Sequence, residues 1–190
     1  MKFELIDRIV ELEAGKRVKA VKAVSLSEEY LADHFPTFPV LPGVFMLEAM
    51  VEAAAWLVRV SLDFRVSVIL LANAKNVTYK SFVKPGNLLE LDIACRSLSD
   101  TESVFSGSGT CAGAEMVKAR FTLRHGSVAS FHRSSPHVLS PNDGGATAGG
   151  VDGAGEPANA VDAADVIGSL SDLDRKLIDH AKQRLTLLHA

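Results

Sequence analysis

A histidine at position 34, a glycine at 43 and glutamates at 48 and 52 lie in the run HFPTFPVLPGVFMLEAMVEAAAW, residues 34–56. An imidazole titrates near neutrality, so His34, if held in place, can take a proton. A carboxylate in an apolar helix is costly, and burial raises its pKa. A carboxyl that keeps its proton near neutral pH can act as a general acid. Glu48 and Glu52 are four residues apart and fall on one helical face, where the two charges are expected to titrate as a coupled pair. The first amides of a helix that opens at Gly43 lack internal acceptors and carry the positive end of its dipole. Such amides suit a carbonyl oxygen that gains negative charge. A base, an oxyanion donor and a neutral acid together describe proton removal beside a carbonyl with departure of a hydroxyl, a β-elimination of water. On the helix alone, glutamates reaching solvent or a lysine are the plainer account. The histidine in a proline run tips the balance.

These groups need rigid supports. Pro36, Pro39 and Pro42 fix φ and deny residues 34–42 helical or central-strand structure, so a stiff extended loop is expected. At roughly 3 Å per residue, a straight loop holds His34 too far from Glu48 of its own chain. The expectation is therefore a two-fold homodimer with His34 of one copy facing Glu48 of the other. From Gly43 to about Ser61 the helix is apolar nearly all round, and so buried on most sides. ELIDRIVELE and RVKAVKAVSL flank a hairpin turn at EAGK. LLELDIACR and VKARFTLR alternate apolar and polar residues, as antiparallel strands with one wet face do. The expected fold is α+β: two strands, a helix and four more strands, forming a curved antiparallel sheet around one long central helix.

Composition bounds the function. With 47% hydrophobic and 23% charged residues the chain is ordinary for a globular protein. No apolar run is long enough to span a bilayer, and the acidic residues in MKFELIDRIVELE argue against an export signal, so a cytoplasmic setting and no membrane partner are expected. Cys95 and Cys111 lack metal-ligand spacing and read as small buried thiols in strands; no metal site is expected. No basic cluster with interleaved aromatics speaks for nucleic acid. Residues 1–125 form the body. Residues 126–160 are rich in Gly, Ala, Ser and Pro and read as a flexible linker. Residues 161–190 read as an amphipathic helix through Leu170, Leu173, Leu177, Ile178, Ala181, Leu185 and Leu188, docked on its own body or recruiting a partner.

HFPTFPVLPGVFMLEAM resembles the signature of 3-hydroxyacyl-[acyl-carrier-protein] dehydratases of the FabZ type, and KNVTYKSFVKPGNLLELDI is similar to the strand and Pro-Gly turn that follow it in that family. The resemblance covers roughly residues 2–125. It implies a six-stranded hot-dog fold, no cofactor, and a homodimer that can assemble further into a trimer of dimers. The implied reaction dehydrates (3R)-hydroxyacyl thioesters on acyl carrier protein to trans-2-enoyl thioesters in fatty acid biosynthesis. His34 is then the base and Glu48 the acid. The Gly43 amide holds the thioester oxygen, with Val44 and Glu52 also at the substrate. Phe45, Tyr79 and Phe82 are candidate gates of an acyl tunnel, although core packing is the plainer account of each. Two residues depart from the family pattern: Thr37 stands where glycine is usual and Glu52 where glutamine is usual. Two other functions fit parts of the pattern. A hot-dog thioesterase uses a helix carboxylate but does not need His34, and a dehydratase-like carrier-protein binding subunit would need neither.

Overall fold

The computed structural model describes residues 4–35, 37–134 and 163–189. Its elements are β1 (Arg8–Glu13), β2 (Arg17–Ala23), α1 (Tyr30–Asp33), α2 (Gly43–Ser61), β3 (Val68–Tyr79), β4 (Leu88–Leu98), β5 (Glu102–Cys111), β6 (Ala114–Gly126), α3 (Val128–Ser134) and α4 (Ala163–Leu188). The six strands form one antiparallel sheet in the order β1-β2-β4-β5-β6-β3. This is the expected α+β hot-dog arrangement: the chain makes a hairpin, sends α2 across the concave face, and returns with β3 at the far edge.

Period-two patterning sets which face each strand buries. Leu89, Leu91 and Ile93 of β4 and Val117, Ala119, Phe121 and Leu123 of β6 all point into the core, as the alternation requires. They meet Met46, Ala49, Met50, Ala53, Ala54 and Leu57 of α2. The small alanines let the helix approach the sheet closely. Ala112 and Gly113, with φ of 48° and 79°, make the tight turn between β5 and β6, the geometry that right-twisted hairpins favour. Cys111 is buried, whereas Cys95 is only half-buried, because β4 slips register between Cys95 and Ser97.

The start of the expected linker is ordered. Gly126 ends β6, and residues 128–134 form α3. The Ser127 hydroxyl accepts from the Ser130 amide at 3.2 Å, a local cap that composition alone conceals. Residues 135–160 of the proposed linker lie outside the described residues. α4 packs on its own chain, burying Ala181 and Leu188. Asp174 accepts from the Val128 amide at 2.8 Å and from the Ser67 hydroxyl, and Arg184 pairs with Glu4 at 2.8 Å. Among the described residues no helix is long and apolar enough to cross a membrane.

Candidate active site

His34 caps the C-terminal end of α1, and its amide donates to the Tyr30 carbonyl at 3.2 Å. α1 is itself tied to the sheet: buried Lys22 of β2 pairs with Glu28 and lies 3.8 Å from Asp7. The Tyr30 ring meets Phe45 of α2 edge-on, with centroids 4.9 Å apart. Contacts therefore run without a break from α2 through Phe45 and Tyr30 to His34. Tyr30 is not among the residues that type and spacing single out; its signal in the sequence is an aromatic one helical turn before the histidine. The Tyr30 hydroxyl is buried with no hydrogen-bond partner among the described residues, and burial pushes its pKa upward. The ring, not the hydroxyl, supplies the positioning. Tyr30→Ala is accordingly expected to lower kcat by up to about 10²-fold through misplacement of the base. Tyr30→Phe should match the parent in kcat and raise the thermal midpoint, since a buried hydroxyl without a partner costs stability. Steady-state kinetics beside thermal unfolding check the pair.

Between His34 and α2 the chain is not the straight run expected from its prolines. The Phe38 amide donates to the Phe35 carbonyl at 2.8 Å, closing a turn that exposes Thr37. Phe35 sits at φ 52°, in the left-handed region, where a bulky residue is strained. Strain of this kind collects at functional sites. The turn folds the loop back, so loop length alone does not require a second copy. The Leu41 amide then bonds the Val83 carbonyl at 2.8 Å and aims the chain into α2.

α2 opens at Gly43, with Pro42 as its N-cap. A Cβ on Gly43 would sit 3.3 Å from the Tyr79 ring, so glycine is what lets that ring cover the helix start. No described residue accepts a hydrogen bond from the amide of Gly43 or of Val44. Val44 is exposed, and so is Glu48 one turn on. Phe35, Phe38 and Phe82 are exposed as well, with Phe82 edge-on to Phe38 at 6.1 Å and the Lys84 ammonium 4.9 Å above Phe38. Val44 and Glu48, four residues apart, thus share the open side of the first turns of α2, next to the Gly43 amide. Within the chain, half-buried His34 touches the Phe35 ring at 4.4 Å, and no hydrogen bond or ion pair joins it to Glu48.

Glu52 departs from the expected carboxylate pair. Its Oε2 accepts from the amides of Leu5 at 2.7 Å and Ile6 at 3.2 Å, which anchors the N-terminal segment to α2. Burial raises its pKa and those two amides oppose the rise; the charges that act on it are Arg184 and Glu4, not Glu48. Shared helical spacing put the two glutamates on one face, but the N-terminal segment and α4 pack only against Glu52. It therefore serves the fold as an acceptor for two backbone amides.

A carboxyl whose folded pKa exceeds its unfolded one holds protons more tightly when folded. Stability then falls as pH rises from the ordinary carboxylate range through the raised value. Glu52→Gln keeps an oxygen for both amides and removes the charge. It should raise the thermal midpoint at pH 7, with the gain vanishing below the ordinary carboxylate pKa, while the acidic limb of the pH–rate profile stays in place. Melting curves across pH, set beside that profile, check it.

The FabA-like domain family matches residues 1–119. The chain belongs to the FabA-like family. Within it, the chain is similar to 3-hydroxyacyl-[acyl-carrier-protein] dehydratases of the FabZ type. It is 34% identical to that of Bacillus subtilis over 65% of this chain and 88% of the relative. It is 38% identical to that of Symbiobacterium thermophilum over 64% of this chain and 84% of the relative. The FabA-like fold recurs in the dehydratase heterocomplex ApeI:P of Xenorhabdus doucetiae, with TM-score 0.59 and 18% identity over 68% of this chain and 88% of that one. It recurs also in smu.793 of Streptococcus mutans, solved with acetyl CoA, with TM-score 0.50 and 21% identity over 66% of this chain and 91% of that one. His34, Gly43, Val44, Glu48 and Glu52 all lie inside the FabA-like match, whereas α3 and α4 lie beyond it.

Proposed function

We propose that the chain dehydrates (3R)-hydroxyacyl thioesters of acyl carrier protein to trans-2-enoyl thioesters, in fatty acid biosynthesis. The observation that carries this is the FabA-like match over residues 1–119, which contains a histidine, a helix start with open amides and a glutamate in the required order. His34 removes a proton from the carbon beside the thioester carbonyl. The Gly43 amide, with that of Val44 behind it, stabilises the oxygen that gains charge. Glu48 gives its proton to the departing hydroxyl, which leaves as water. The electron pair of the broken C–H bond becomes the new double bond. The chain's own residues supply base, acid and oxyanion donor, so no cofactor enters the scheme.

Two copies build each site, His34 from one and Glu48 from the other. Two features support this. Phe35, Val44 and Phe82 are exposed by 56%, 63% and 59%, apolar side chains that a second copy would cover. β3, with Leu70 and Leu71 exposed, is an edge strand whose outer side has no partner in the sheet. The reading includes a cytoplasmic setting, consistent with the unpaired thiols of Cys95 and Cys111.

Incubation with 3-hydroxyacyl and with saturated acyl thioesters of carrier protein tests the activity. Enoyl absorbance should appear from the first alone, with no free thiol from either. Thiol release from both without enoyl absorbance would mean a thioesterase, and no reaction with either would leave a binding subunit.

A further inference from the structure

A cavity of about 230 Å³ lies between the second half of α2 and the added helix α4, away from His34, Gly43 and Glu48. From the body it is lined by Trp56, Arg59 and the carboxylates Glu4 and Glu52; from α4 it is lined by Leu177, Ala181 and Arg184. His180 of α4 also lines it, and among the side chains Glu4, Glu52, Arg59 and Arg184 only Arg59 has no hydrogen bond or ion pair with a described residue. Glu4 pairs with Arg184. Glu52 accepts from two backbone amides. The Arg59 guanidinium lies over the Trp56 ring, 5.2 Å from its centroid, and makes no hydrogen bond or ion pair with any described residue. Burial outweighs the pull of Glu52 and pushes its pKa down. Beside it the Trp56 ring is only 5% exposed, and its indole N–H is buried without an acceptor.

A half-buried guanidinium without an acceptor calls for an anion. The same cavity has apolar walls in Trp56, Leu177 and Ala181, which suit a short hydrocarbon end. The carboxylates of Glu4 and Glu52 disfavour a dianion such as phosphate. The volume falls below that of pockets for drug-sized ligands.

We infer that the cavity between α2 and α4 binds a small monocarboxylic acid, its carboxylate on Arg59 and its hydrocarbon end against Trp56 and α4. The site exists only because α4, which lies outside the FabA-like match, docks over α2. The inference does not depend on the dehydration chemistry.

Trp56 is the one tryptophan of the chain, so its fluorescence and its indole N–H resonance report this place alone. The full chain is titrated at constant ionic strength with sodium butyrate, butanol and sodium phosphate. Butyrate should shift the indole signals saturably, butanol should not, and phosphate should bind more weakly. Arg59→Met should weaken butyrate at least about tenfold, the cost of one charge-assisted hydrogen bond. Ala181→Leu, which fills the cavity from α4 without touching a charge, should abolish the shift. No saturable shift, an equal response to butanol, tighter binding of phosphate, or unchanged binding in either variant would overturn the assignment. The comparison of the three ligands on the unaltered chain decides even if neither variant folds.

Discussion

His34→Ala is expected to lower kcat/KM for dehydration by about 10²- to 10⁴-fold, the usual worth of a positioned general base. Stability should stay within about 0.5 kcal/mol of the parent, because the half-buried imidazole makes no hydrogen bond with any described residue. Glu48→Gln should lose a similar factor, since an amide cannot give the proton that the hydroxyl needs. The double variant should be little worse than the poorer single one, because a base and an acid that serve one transition state act as a unit. A further measurement separates the roles of the residues from their arrangement. When the two single variants are mixed and allowed to exchange subunits, about half of the dimers are mixed. Each mixed dimer carries one site in which His34 and Glu48 are both intact, provided that the two come from different copies. Activity should then return to roughly a quarter of the parent's. Two inactive pools that stay inactive after exchange would place both residues in one chain. Single variants that retain full activity would remove the proposed roles altogether.

Phe121→Ala should cost about 3–5 kcal/mol of folding stability. Phe121 is 1% exposed, lies opposite Phe105 in the β5–β6 register, and stacks on it with centroids 5.7 Å apart and planes 27° from parallel. Both rings belong to the core cluster that includes α2. Truncation leaves a cavity that a β-sheet cannot close by moving one strand, since β6 is bonded on both sides, to β5 and to β3. A domain of this size is stable by only about 5–15 kcal/mol, so such a loss puts much of the population at risk at physiological temperature. Chemical denaturation measures it. The companion variant Phe105→Ala, combined in a double-mutant cycle, should show about 0.5–1.5 kcal/mol of coupling from the ring pair. A cost below about 1 kcal/mol for Phe121→Ala would mean that α2 does not rest on this layer.

Much of the architecture was legible because it rests on periodicity. Leu89, Leu91 and Ile93, or Val117, Ala119, Phe121 and Leu123, share a face in a strand, and the apolar run after Gly43 is covered most economically by a sheet wrapped around it. The positions of His34, Gly43 and Glu48 were legible because residue type and spacing are local properties. Less legible was anything that depends on what packs against a side chain. Glu48 and Glu52 are equivalent by helical spacing, yet the N-terminal segment turns its Leu5 and Ile6 amides to Glu52 alone. Prolines predict stiffness but not direction, so the turn from Phe35 to Phe38 and the left-handed backbone at Phe35 could not be read from them.

The sequence by itself determined the strand faces, the central helix and the order of the chemical groups, because backbone geometry imposes periods of two and of 3.6 on any chain. Only the tertiary structure decided that Tyr30 and Phe45 link the base to α2, that Glu52 serves the fold, and that α4 closes a cavity over Arg59. Those outcomes are contacts between segments far apart in the chain, and burial, pairing and pKa belong to such contacts and not to any residue alone.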